Sequence, residues 1–143
     1  MTNVTRDEAW KLIQDCEKHA IKLGICIATS IVDSGGNLVA FSKMDGTQLA
    51  SLTISQSKAY TALSWKRPSG ALFAIAQPGA GGFGINTIDS RFVLCAGGVP
   101  IKVGDALLGG IGVSGGTSEE DEECAIQALI NNQFTPPSFP SPC

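Results

Sequence analysis

The chain holds one histidine, one tyrosine and two tryptophans in 143 residues, and only 16% of its residues are charged. Each scarcity removes a class of chemistry. A single imidazole, with five cysteines (Cys16, Cys26, Cys95, Cys124, Cys143) that form no C-x-x-C pair, leaves no zinc site of ordinary Cys/His spacing. Gly112–Gly116 mimics the G-x-S-x-G nucleophile elbow around Ser114. That template requires aspartate and then histidine downstream, and the lone His19 lies upstream, so serine-hydrolase chemistry is not expected. A formal net charge of −3 gives no electrostatic attraction toward nucleic acid or an anionic membrane. No apolar run approaches the ~18 residues of a membrane span. The opening MTNVTRDEAW lacks the basic and apolar regions of a signal peptide, so a cytoplasmic protein is expected. The cysteines are then expected mostly as small apolar core residues in a reducing compartment.

What remains suits one globular domain with a sizeable core, since 43% of the residues are hydrophobic. Thr5-x-x-Glu8 is a capping-box signature, followed by Trp10, Ile13, Cys16, Ala20 and Leu23 at helical spacing and stopped by Gly24. ICIATSIVD and NLVAFSK read as two strands joined by DSGGN. A helix is expected over about Ala50–Trp65, and Ser69 is placed to cap a short helix through ALFAIA. GFGIN, RFVLCA, VPIKV and ALLGGIGV read as strands, the last two forming a hairpin about Gly104-Asp105, and a closing helix covers about Thr117 to Asn131. Strands clustered rather than alternating with helices predict an α/β (α+β) fold: a central antiparallel sheet of about five strands with helices packed on it. The domain is expected over residues 1–134, and the proline-rich tail 135–143 is expected to be mobile.

Gly110, Gly112 and Gly115 spell G-x-G-x-x-G, the spacing of dinucleotide-binding loops. A strand precedes and a helix follows, but a proline-rich tail stands where the next parallel strand is expected, and Phe134 and Thr135 stand where a ribose-binding acid belongs. Glu119, Glu120, Asp121, Glu122 and Glu123 crowd the helix start, where they complement the dipole and repel a phosphate. Thr117 with Glu120 makes a second capping box over the same amides. No nicotinamide or flavin nucleotide is expected. Glycine within a strand marks close approach by another backbone, a bulge or a ligand. With Gly97-Gly98, these glycines frame either a shallow cavity or a subunit contact.

VDSGGNLVAFSKMDG, SQSKAYTAL, GGVPIKV and GGIGVSGGTSEEDEECAIQAL, in that order, resemble the GlcG/HbpS family, and within it the C-terminal domain of PduO-type cobalamin adenosyltransferases. The resemblance runs from about Glu8 to Leu129. It implies helices on a central antiparallel sheet, dimers or larger homo-oligomers, and a ligand such as haem or a corrinoid, with haem degradation in some members. His19 falls where some haem-binding members have a ligand histidine. Lys43 replaces the arginine common before MDG, keeping the charge but losing the bidentate fork. Gly70 stands where many members carry histidine, which removes any mechanism using a second imidazole.

His19 lies beside Leu12, Cys16 and Leu23 at helical spacing. It reads either as a surface histidine near a helix C-terminus, favoured by the dipole, or as an axial ligand to haem iron or corrinoid cobalt. Tetrapyrrole carboxylates need cations, and Lys58, Arg91 and the pair Lys66-Arg67 are available. Met44, Gly97 and Gly98 complete the candidate cofactor site. Lys58, if it faces the glycines, binds a carboxylate or polarises a carbonyl. Asp45 reads as a general base at a strand end or as half of an Asp-Gly turn. The leading expectation is a homo-oligomeric haem or tetrapyrrole binder acting as carrier, sensor or degradation factor. Its rivals are a cofactor-independent isomerase, lyase or proton-transfer enzyme using Lys58 and Asp45 on a small carboxylate or carbonyl metabolite, and a structural oligomerisation module.

Overall fold

The computed structural model describes residues 2–138. Thr5 Oγ1 accepts the amide of Glu8 while the Glu8 carboxylate accepts the amide of Thr5, so the expected capping box opens α1 (Arg6–Leu23). Gly24, at φ 74°, closes it. The buried stripe of α1 is Ala9, Leu12, Ile13, Cys16 and Ala20. Trp10 and Leu23, expected on this face, are exposed and half-buried respectively. Trp10 stands about 200° round the helix from Leu12 and cannot share its face.

β1 (Ala28–Asp33) and β2 (Leu38–Lys43) form the expected hairpin. Asp33 Oδ1 accepts the amides of Gly35 and Asn37, each at 3.0 Å, which fixes its turn. β3 (Gly98–Val103) and β4 (Ala106–Ser114) form the second hairpin, and the sheet runs β2-β1-β4-β3, antiparallel throughout.

The sheet has four strands, not about five, because GFGIN and RFVLCA are not strands. In the first, local turns consume the backbone: Gly82 N–H donates to Ile75 O, Ile85 N–H to Gly82 O and Thr87 N–H to Gly84 O. In the second, side chains take the place of a neighbouring strand. Thr61 Oγ1 donates to Arg91 O and accepts from Val93 N–H, and Ser69 Oγ donates to Cys95 O. The segment after α2 (Ala50–Trp65) also holds a single-turn helix at Ser69–Ala71 and α3 (Leu72–Ile75).

One face of the sheet presents Ile31, Val99, Ile101, Ile111 and Val113 to α1 and to α4 (Ser118–Asn131), forming the main core. The other face is covered by α2 and is built from small residues. A Cβ on Gly98, Gly110 or Gly112 would overlap the backbone carbonyls of Lys58, Ala59 and Ser55 respectively. The glycines therefore frame neither a cavity nor a subunit contact; α2 lies directly on them. Ser51, Ser55, Ala59 and Ala62 are the matching small residues of the helix, and Ser30 Oγ meets Ser55 Oγ at 2.8 Å.

Cys16 and Cys124 are buried as expected, whereas Cys26 and Cys95 are exposed in the connections leading to β1 and β3. Cys143 lies outside the described residues. The start of the tail is held: Thr135 N–H donates to Lys102 O and Thr135 Oγ1 accepts from Gly104 N–H, both at 2.8 Å. Among the described residues no helix is long and apolar enough to cross a membrane.

Candidate functional site

The seam between α1 and α4 carries the one imidazole. Thr117 and Glu120 make the second expected capping box, which fixes where α4 begins and which residues face α1. Small residues on both helices (Cys16, Ala20, Cys124, Ala128) lie in the shared core and let the helices approach closely. Cys16 Sγ reaches Cys124 O at 3.5 Å across the seam. Burial, then the nearby Cys124, pushes the Cys16 thiol well above its ordinary value. Burial, followed by Asp121 and Glu123, pushes the Cys124 thiol up to about 12. Both are therefore neutral packing groups at physiological pH rather than thiolate ligands.

Polar pairs close the rim above this core. His19 Nε2 lies 2.5 Å from Glu123 Oε2, with the histidine side chain 18% and the glutamate 55% exposed. Near the C-terminal end of α4, Asn132 Nδ2 donates to Asp15 Oδ2 at 2.7 Å. Beside His19 lies an open cleft of about 610 Å³, lined by Asp15, Lys18, His19, Ile21, Lys22, Gln127 and Asn131. That volume falls within the roughly 300–1,000 Å³ of small-molecule and cofactor sites. The cleft joins an imidazole, an exposed apolar side chain (Ile21) and two lysines (Lys18, Lys22) that have no ion-pair partner among the described residues.

The remaining candidate residues are distributed over other parts of the molecule. Lys58, Gly97 and Gly98 are brought together, but as a buried cluster. Lys58 is 2% exposed; its Nζ donates to Val113 O at 2.9 Å and to Asp121 Oδ2 at 3.0 Å. Asp121 Oδ1 in turn accepts Gly116 N–H at 2.8 Å. A Cβ on Gly97 would lie 2.7 Å from Lys58 Nζ, so the missing side chain there makes room for the lysine. The carboxylate that Lys58 meets is the protein's own. Met44 packs against the main core, and its Sδ accepts Ile27 N–H at 3.4 Å. Asp45 is exposed in the turn with Gly46 (φ 86°).

Arg91 stacks on the Tyr60 ring, 3.7 Å from its centroid, and pairs with Asp89 at 2.7 Å. Hydrogen bonds from Arg91 hold the Asp89 carboxyl down at about 2. Arg91 and Tyr60 line a separate cleft of about 310 Å³. Lys66 and Arg67 line a third of about 270 Å³ with Lys102. A Cβ on Gly70 would lie 2.8 Å from the Cβ of Ala96, so a larger residue there requires the 91–96 connection to move.

Sequence reasoning missed two residues, Asp121 and Glu123, both read only as members of an acidic run at a helix start. The helical repeat carried the signal for the first. Asp121 stands three and four residues before the buried Cys124 and Ala125, on the inward stripe.

Residues 4–130 match the family model described as haem degrading protein HbpS-like. The chain is 35% identical over 130 residues to a 15.0 kDa protein of the dhaT-dhaS intergenic region in Citrobacter freundii, covering 90% of this chain and 92% of the relative. It is 31% identical over 123 residues to the corrinoid adenosyltransferase PduO of the same organism. That match covers 85% of this chain but 37% of PduO. The crystal structure of a PduOC:heme complex superposes with a TM-score of 0.90 at 26% identity, covering 95% of this chain and 99% of that one.

Proposed function

The chain belongs to the HbpS-like family of haem-degrading proteins, and from that premise we propose that it binds haem, or a closely related tetrapyrrole, in the α1–α4 cleft with His19 as axial ligand. The observation that carries this reading is the placement of the only imidazole on the wall of a cofactor-sized cleft, beside two lysines with no ion-pair partner among the described residues. The donor set fits the group. A neutral imidazole ligates iron, Ile21 offers apolar contact to the macrocycle, and Lys18 and Lys22 suit its carboxylates. Bound haem would supply a redox-active iron; the chain supplies the ligand nitrogen, the cations and the rigid helix pair that fixes their spacing. The PduOC:heme complex, of the same fold over nearly all of this chain, supports the same ligand class.

A homo-oligomer in the cytoplasm is part of this proposal. Leu49, Phe73, Phe83 and Ile88 are 83%, 58%, 67% and 75% exposed, at the start of α2 and in the connection to β3. Large apolar side chains left outside a single chain favour covering by another copy. The free cysteines Cys16, Cys26, Cys95 and Cys124 suit a reducing compartment.

The test is a haemin titration of wild type and His19→Ala, following the Soret band. A saturable, shifted Soret in wild type that is lost in the variant supports the reading. Absence of saturable binding in wild type, or an identical spectrum in both, overturns it. The same titration with a corrinoid separates the two tetrapyrrole classes.

A further inference from the structure

We infer that Glu123 is a built-in competitor for the ligating nitrogen of His19, so that haem enters the cleft only by displacing a carboxylate of the chain itself; this rests on the reading of His19 as haem ligand. Glu123 Oε2 lies 2.5 Å from His19 Nε2 and is not among the residues lining the cleft. With Oε2 at 2.5 Å, the carboxylate fills the position beside Nε2 that a coordinated metal would take. Nε2 is therefore closed to a metal while the contact holds.

The other ring nitrogen does not resolve the conflict. Nδ1 is bonded to the carbon that carries the side-chain stem, close to the helix backbone. A flat macrocycle centred over Nδ1 would collide with α1, whereas Nε2 is at the outer edge of the ring. Coordination of a large planar ligand therefore calls for Nε2, the atom that Glu123 holds. A carboxylate on the second nitrogen of a histidine ligand supports metal binding by orienting the ring. A carboxylate on the ligating nitrogen opposes it. Glu123 stands on the nitrogen that the macrocycle needs, so it acts as a positioning residue that weakens and delays binding.

The surroundings are consistent with a displaceable contact. Glu123 is 55% exposed, so its carboxylate can return to water when released. The α1–α4 seam does not depend on it, since Asn132–Asp15 and the buried small residues remain.

The experiment compares wild type, Glu123→Ala and His19→Ala at one mildly alkaline pH, with two readouts. The first is the dissociation constant for haemin from the Soret titration. The second needs no haem. His19 is the only histidine, so acylation by diethyl pyrocarbonate, read from the carbethoxyimidazole absorbance, reports the freedom of this one ring. Glu123→Ala should bind haemin about fivefold more tightly, the scale of losing one half-exposed charged contact, and should be acylated faster than wild type. Unchanged or weaker haemin binding in Glu123→Ala, alongside His19-dependent binding in wild type, overturns the competition and makes Glu123 a neutral or supporting neighbour. Unchanged acylation overturns the hold on the ring. Faster acylation with no His19-dependent Soret in any variant has a different meaning: the haem reading fails and the competition fails with it, while the carboxylate's hold on the imidazole stands.

Discussion

Lys58 and Asp121, 63 positions apart, form an ion pair in which both side chains are 3% exposed, with Nζ 3.0 Å from Oδ2. The pair ties three elements together. Lys58 comes from α2 beneath the sheet, Val113 O from the last strand, and Asp121 from the first turns of α4, where it also holds Gly116 N–H. The glycine-rich turn between β4 and α4 is thus fixed from both sides. Removing one partner of a buried pair leaves the other charge without compensation.

Lys58→Met should accordingly cost about 3–5 kcal/mol of folding stability. Lys58→Met combined with Asp121→Leu should recover a large part of that loss, because apolar replacement of both partners leaves no orphaned charge. Denaturant unfolding of the three proteins checks this. A Lys58→Met protein that keeps wild-type stability yet loses ligand binding would return Lys58 to the ligand site.

How far the sequence reveals the fold depends on where each backbone hydrogen bond goes. Both long capped helices and both hairpins are legible because their signals are local: Thr5 with Glu8, Thr117 with Glu120, DSGGN, and Gly104-Asp105. The 91–96 stretch before β3 is not legible, because its partners are Thr61 and Ser69, side chains distant in sequence that substitute for a strand. The candidate site divides in the same way. His19 stands out as the sole imidazole, but its partner Glu123 lies 104 positions away among five consecutive acids. Only the packing of α4 on α1 distinguishes that acid from its neighbours.

The glycines of β4 yield a steric prediction. A Cβ at position 112 would overlap the carbonyl oxygen of Ser55, a backbone atom in the middle of α2 that cannot rotate away. Gly112→Ala should destabilise by about 1–3 kcal/mol or more, as overpacking does. Gly81 has nothing within 4 Å of the position its Cβ would occupy, so Gly81→Ala should stay within about 0.5 kcal/mol of wild type. Thermal melts of the two variants measure the contrast.

The buried thiols set an alkaline limit on stability. The Cys124 thiol is pushed up to about 12 from an ordinary 9.0, and that of Cys16 is also raised, by burial first in both cases. These acids ionise more readily in the unfolded chain than in the folded one. Their contribution is fully present below about pH 9 and is lost as pH rises through the range up to about 12. The urea midpoint should fall above about pH 9 and fall less steeply in Cys16→Ala/Cys124→Ala. In native protein at neutral pH, peptide mapping after thiol labelling should find Cys26 and Cys95 modified and Cys16 and Cys124 protected until denaturant is added.

The lysines flanking the cleft should reveal themselves through salt. Lys18 and Lys22 line it together with His19 and are exposed. Any attraction to a tetrapyrrole carboxylate acts through solvent and is worth at most about 1 kcal/mol each. Lys18→Ala and Lys22→Ala should each raise the haemin dissociation constant by about two- to fivefold at low ionic strength. The difference from wild type should shrink as salt shortens the Debye length to about 3 Å at 1 M. The Soret position should not move in either variant, because it reports the ligand on iron, which we propose to be His19. A shifted band in a lysine variant would show that the lysine sets the coordination rather than the charge balance.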